Sequence, residues 1–174
     1  MFECHNMIGS NNQVELCEAL QLLKDEHAGL NVQKLDLFES SNALINESLL
    51  ENKLKKLEEL LSKVMTFIAI LDPHSQKEEG HLFELMAKHI GRENGPIAVM
   101  EMEHDQAKSL IRQFLTKTEV ISINSNFDEI CNLVIEAYHV LTSHFMKEEQ
   151  VLFPMAQYIL SESEKNSLLD VIKD

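Results

Sequence analysis

Residues 74–83, His-Ser-Gln-Lys-Glu-Glu-Gly-His-Leu-Phe, recur with six of ten residues identical as residues 144–153, His-Phe-Met-Lys-Glu-Glu-Gln-Val-Leu-Phe. In both copies a His precedes a Glu by four residues, so on a helix the two side chains stand only about 40° apart and share a face. A chain that carries such a pair twice, inside longer apolar periodicities, is constrained to bring matching helix faces together.

Those periodicities define four segments. Residues 14–38 carry Leu16, Leu20, Leu23, Leu30 and Leu37 at steps of three and four, with His27 on the same stripe. Residues 47–71 continue with Leu50, Leu54, Leu57, Leu61, Val64, Ile68 and Leu71, and the same alternation runs on through His74, Glu78, His81 and Leu85. The third segment, 96–117, reads Ile97, Met100, His104, Ala107, Ile111 and Phe114. The fourth reads Phe127, Ile130, Val134, Ala137, Leu141, His144, Glu148, Val151 and Met155. Polar residues thus occupy core positions on all four stripes.

The punctuation fits four helices and a short fifth. Residues 40–48 are rich in cap and turn formers and mark the first connection. Asp72-Pro73 predicts a kink or break just before His74, because proline lacks the amide donor and clashes with the preceding turn. Gly91 to Pro96 is the clearest loop, and Ser161-Glu162-Ser163-Glu164 reads as a capping box that opens a final helix containing Leu168, Leu169 and Ile172. With 44% hydrophobic residues, 5 Gly, 3 Pro and no Trp in 174 residues, the expectation is one all-α domain over 1–174, its bundle core at about 14–160.

A net charge of −14 disfavours nucleic acid and anionic membranes as partners. No apolar run reaches the roughly 20 residues of a membrane span, and the N-terminal residues lack a signal-peptide pattern. Cys4, Cys17 and Cys131 are odd in number and widely spaced, which fits a reducing, cytoplasmic setting rather than a disulfide framework. Cys17 and Cys131 read as small packing residues.

Packing the four stripes together would bury His27, His74, Glu78, His104, His144 and Glu148. Unpartnered, such groups would cost several kcal/mol per charge, comparable with the stability of a whole domain. Two divalent cations bound by the imidazoles and bridged by the two carboxylates would neutralise them. The mixture of imidazole and carboxylate suits iron first, with manganese or zinc possible, and not magnesium or calcium. A hydrogen-bonded His/Glu network is the competing reading. His81, whose counterpart is Val151, reads as structural or as a contact behind the ligands. His5, His89 and His139 lie off the stripes, Glu79 and Glu149 point about 100° away from the adjacent ligands, and Tyr138 reads as packing.

Lys24-Asp25-Glu26-His27, residues 74–83, Gly95-Pro96 leading to Glu103-His104, and residues 144–154 together resemble the hemerythrin-like, or HHE cation-binding, family. The resemblance spans about residues 14–160. It implies an up-down-up-down antiparallel four-helix bundle, with a short extra C-terminal helix, around a non-haem di-iron centre. His27, His74, His104 and His144 correspond to terminal ligands and Glu78 and Glu148 to bridging carboxylates. Oxygen-carrying members use a fifth His on the third helix, where this chain has Met100 and Lys108 as the neighbours of His104; the paired His of the second motif is His74-Ser75 here.

The resulting functional expectation is a protein that binds or senses oxygen, nitric oxide, redox state or iron, with a small diatomic ligand as partner. Two other classes use the same residues. One is a small oxidoreductase acting on peroxide or nitric oxide, for which neither a flavin motif nor a cysteine cluster offers an electron source. The other is a structural bundle whose metals only complete the core.

Overall fold

The computed structural model describes residues 14–122 and 124–173. Helix α1 spans Glu18–Ile45 and α2 spans Leu50–Lys77, which passes into a π-helical turn, π1, at Glu78–Leu82 and then α3 at Phe83–Ile90. The second half repeats this order: α4 at Pro96–Glu119, α5 at Phe127–Lys147, π2 at Glu148–Leu152 and α6 at Phe153–Ile159, followed by α7 at Glu162–Ile172. No strand occurs among the described residues.

Apolar periodicity brings the long helices together. Helix α1 lies against α2 and α5, and α4 lies against α5 and α2. The predicted stripes of the third and fourth segments are buried from Ile97 to Phe114 and from Phe127 to Glu148. On α2 the buried line is Leu57, Leu60, Val64, Phe67 and Leu71, rotated slightly from the expected one, so that Leu61 and Ile68 are only partly covered and Leu50 is exposed. On α1 the stripe is closed at position 34 by Lys34, a buried residue that an apolar count does not register.

The core is split. One apolar cluster runs from Leu30, Leu71, Ala107 and Leu141 towards the end of the bundle that contains Leu44 and Phe127. The other gathers Leu20, Leu23, Leu82, Phe83, Met86, Ile97, Leu152, Phe153 and Leu168. Between them lies a layer of buried His and Glu side chains.

Three local expectations need correction. The first connection begins later than residues 40–48 suggest, since α1 continues to Ile45. The turn-forming side chains there bond back onto their own helix, Ser41 Oγ donating to the Leu37 carbonyl and Asn42 Nδ2 to that of Phe38. Pro73 does not break α2, which is helical through Lys77.

The third correction concerns register. Beyond Glu78 and Glu148 the core positions are Leu82, Phe83 and Met86, and Leu152, Phe153 and Ala156, whereas Val151 is exposed and His81 only partly buried. A π-turn accommodates an extra residue, so the 4-3 alternation slips by one position exactly once in each half. The slip removes His81 from the buried face.

Helix ends follow ordinary chemistry. Gly91 (φ 77°) and Gly95 (φ 113°) take backbone conformations hostile to a Cβ, and Pro96 opens α4. Asn126 caps α5, and Ser161 with Glu164 forms the expected capping box of α7. Helix α7 packs on α1 and π1 through Leu168 and Ile172.

Candidate metal centre

Each half supplies three side chains to the buried layer. His27 comes from α1, His74 from α2 and Glu78 from the first residue of π1; His104, His144 and Glu148 come from α4, α5 and the first residue of π2. All six are buried, and both carboxylates are wholly inaccessible. Placement of His and Glu four apart at a helix end, as the repeat requires, puts His74 Nε2 3.3 Å from Glu78 Oε1 and His144 Nε2 3.1 Å from Glu148 Oε1.

The second oxygen of each carboxylate crosses to another helix. Glu78 Oε2 lies 3.5 Å from His104 Nε2, and Glu148 Oε2 lies 3.3 Å from His27 Nε2. Two overlapping constellations result. His27, His74, Glu78 and Glu148 form one, and Glu78, His104, His144 and Glu148 the other; within each, one donor atom per residue lies within 4.8 Å of all the rest. Both carboxylates belong to both sets.

The imidazoles are oriented from behind. His27 Nδ1 bonds Glu149 Oε1 at 2.9 Å, His74 Nδ1 bonds Glu26 Oε2 at 2.8 Å, His104 Nδ1 bonds Glu79 Oε1 at 2.6 Å, and His144 Nδ1 bonds Glu103 Oε2 at 3.2 Å. A carboxylate at Nδ1 accepts a hydrogen bond from Nδ1–H, so in the neutral ring Nε2 carries the lone pair that faces the interior. His27 Nε2 and His74 Nε2 are then 3.2 Å apart, lone pair towards lone pair.

The interior is thus a ring of acceptors. All four oxygens of Glu78 and Glu148, together with His144 Nε2, are buried with no hydrogen-bond partner. Leaving one such group unsatisfied costs about 1–3 kcal/mol, and more when it is charged. A donor set of four imidazole nitrogens and two carboxylates fits one or more borderline divalent cations.

Electrostatics without a cation show the same tension. Burial opposes ionisation of Glu78, but His74 and His104 outweigh it and hold the carboxyl at about 2. Burial and repulsion from Glu78 push Glu148 up to about 8, only partly countered by His27 and His74. The pair therefore resists carrying two negative charges. Burial also lowers His144, to about 4, reinforced by neighbouring His104. For His74 and His104, burial is overcome by the carboxylates, with a net upward shift.

The structure brings together all six residues singled out from sequence. His81 lies outside the cluster, beside Leu168 and Val171 of α7; His89 is exposed and bonds Glu164 at 2.9 Å, and His139 is exposed. Tyr138 stacks on Phe38 with ring centroids 4.5 Å apart. Cys131 is a buried packing residue whose thiol burial pushes up to about 12, whereas Cys17 is half-buried at the start of α1. Cys4 and His5 lie outside the described residues.

Sequence reasoning missed the outer carboxylates Glu26 and Glu103 and the lysines behind them. Their signal was adjacency: each outer Glu directly precedes or follows an inner ligand candidate. Lys77 Nζ reaches Glu26 Oε1 at 2.6 Å, Lys108 Nζ reaches Glu79 Oε1 at 2.6 Å, and Lys147 pairs closely with Glu103. Glu26 is held below its ordinary value despite burial by His74 and Lys77, and Glu79 likewise by Lys108 and His104.

Proteins named iron-sulfur cluster repair protein YtfE from Salmonella schwarzengrund, Salmonella newport and Salmonella heidelberg are each 34% identical over 91 residues, which is 49% of this chain and 41% of theirs. The match thus spans less than half the length of those relatives. No described helix is long and apolar enough to cross a membrane. Residues 18–158, which include the four long helices and the cluster they enclose, match the model of the hemerythrin HHE cation binding domain, and the chain belongs to that family.

Proposed function

We propose that the chain is a di-iron protein, built as an up-down-up-down four-helix bundle, that binds or senses a small diatomic ligand such as oxygen or nitric oxide. His27 and His74 would hold one ion and His104 and His144 the other, with Glu78 and Glu148 available to both. Manganese or zinc would satisfy the same donors. The observation that carries the reading is the ring of inward lone pairs: four Nε2 atoms fixed by outer carboxylates and two carboxylates without a single buried donor between them.

Two irons would supply reversible redox change and open coordination positions for a small ligand. The protein's own part is positional. Glu149, Glu26, Glu79 and Glu103 hold each imidazole in one tautomer and one orientation. Phe145, stacked on His27 at 4.3 Å between centroids, and Phe83, stacked on His104 at 5.8 Å, keep the faces of the cluster apolar. Water is thereby kept from competing along those faces.

A second reading is a role in repair of iron-sulfur clusters, favoured by the name of the Salmonella relatives. Metal analysis of protein purified without added metal tests the common basis of both readings, with two irons per chain expected. Spectra recorded anaerobically and then with oxygen, azide or nitric oxide separate the uses. Reversible spectral change supports binding or sensing, and transfer of iron to a cluster-depleted acceptor supports repair. Spectra indifferent to every small ligand would rule out the leading reading.

A further inference from the structure

The internal duplication equates His27 with His104, His74 with His144, Glu26 with Glu103, Glu79 with Glu149 and Lys77 with Lys147. The backing of the imidazoles follows this symmetry in three quadrants. His74 is backed by Glu26 and Lys77, His144 by Glu103 and Lys147, and His104 by Glu79 and Lys108. In the fourth, Glu149 bonds His27 Nδ1 at 2.9 Å but makes no ion pair with a lysine among the described residues.

The reason is one residue. Lys108 stands four positions after His104, and the position four after His27 is Asn31, an exposed residue on α1. The next lysine along α1 is Lys34, a turn farther on. Its Nζ lies 4.9 Å from the centre of the Phe145 ring and 5.5 Å from that of Tyr138, buried against aromatic faces instead of pairing with Glu149. Exposure does not explain the difference, since the side chains of Glu149 and Glu79 are 32% and 33% accessible.

From this we infer that the two metal positions, alike in their direct ligands, exchange their ions unequally, and that the His27–His74 position is the one that takes up and loses a divalent transition metal more readily. An outer carboxylate fixed by a lysine holds its imidazole in place. Glu149, bonded only to His27, can swing towards solvent and let that imidazole turn away from the ion. Loss of such an outer contact typically changes metal affinity by about 10-fold to 100-fold. The inference rests on the two-ion reading of the site.

The test uses the whole chain loaded anaerobically with Fe(II), counted, and then challenged with excess ferrozine. Two irons per chain should leave in two phases of one equivalent each. Asn31→Lys restores the Lys108 spacing on an exposed helical position and should slow the fast phase by roughly threefold to tenfold, leaving the slow phase alone. Lys108→Met should accelerate the slow phase and leave the fast one unchanged. A single phase of two equivalents, or a fast phase indifferent to Asn31→Lys, overturns the inference while the two-iron reading stands. Fewer than two irons at the start overturns that reading instead.

Discussion

Replacing Glu148 by Gln should stabilise the metal-free protein while destroying the metal site, an outcome opposite to that of most buried polar substitutions. In the wild-type protein the Glu148 oxygens lie 3.1 Å from His144 Nε2 and 3.3 Å from His27 Nε2, neither with a donor to accept from. An isosteric amide offers N–H groups to one of those nitrogens and removes a buried charge. Relief of one unsatisfied group is worth about 1–3 kcal/mol, or a rise in Tm of roughly 2–12 °C for a chain of this size.

The pH dependence fixes the sign. Glu148 is raised from an ordinary 4.5 to about 8, so the unfolded chain gives up this proton before the folded chain does. Glu148 by itself therefore costs the wild-type apoprotein stability as pH rises from about 4.5 to 8, at no more than about 1.4 kcal/mol per unit, while His144, lowered to about 4, works in the opposite sense up to its ordinary 6.5, so the difference between wild type and variant isolates Glu148. The advantage of Glu148→Gln should be small near pH 5, where the native carboxyl is itself protonated, and largest near pH 8. Urea denaturation in EDTA at those two pH values, paired with iron analysis after anaerobic loading, reads both effects. If the apo variant is less stable than wild type at pH 8, or its advantage over wild type does not grow from pH 5 to pH 8, the acceptor-ring argument is wrong.

Other consequences are more local. Ser161→Ala should lower stability by about 1 kcal/mol by uncapping α7. Because Ser161 amide and hydroxyl bonds and the His89 contact hold Glu164 at about 2, its stabilisation is complete above about pH 4.5 and fades as pH falls towards 2; Glu164→Gln should flatten acid unfolding in that window. Burial lowers Lys34 to about 8 against the pull of Glu149, so its charge is a penalty in the fold below pH 8. Lys34→Met should raise apoprotein stability at pH 7 in urea melts, with the gain shrinking as pH climbs from 8 towards 10.5. Cys131, with its thiol pushed up to about 12, should resist alkylation at pH 8 in native protein and react once unfolded, as intact-mass analysis with peptide mapping would show.

Much of the site could be read from the chain because its ligand candidates interrupt strong periodicities. A His inside a sustained apolar stripe goes with the stripe into the core, and four such stripes bring His27, His74, His104 and His144 together; His81, on the same count, does not follow because the register changes at Glu78. The outer partners were harder to see. Glu26, Glu79, Glu103 and Glu149 point away from their own stripe, and each serves a His on a different helix, a relation that one-dimensional spacing does not encode. Lys34 escaped notice for a different reason: its long apolar stem fills a core position while its charge rests on aromatic rings, so residue type misstates its burial. Pro73 misled because its cost is local, whereas the helix around it is held by tertiary packing.

The π-turns connect fold and site. Each begins at an inner carboxylate, Glu78 or Glu148, and the shift of register that follows turns His81 and Val151 away while bringing Leu82-Phe83 and Leu152-Phe153 onto the core. An uninterrupted α-helix would instead carry His81 onto the buried face one turn past Glu78, adding a seventh ionisable group without a counterpart in the other half. The wide turn therefore ends the polar layer at the carboxylate and restarts the apolar core immediately beyond it. Such single wide turns inside helices recur at functional positions. Here the new register buries Leu82-Phe83 and Leu152-Phe153, each pair about one turn past Glu78 or Glu148, the carboxylates that lie within reach of both His pairs.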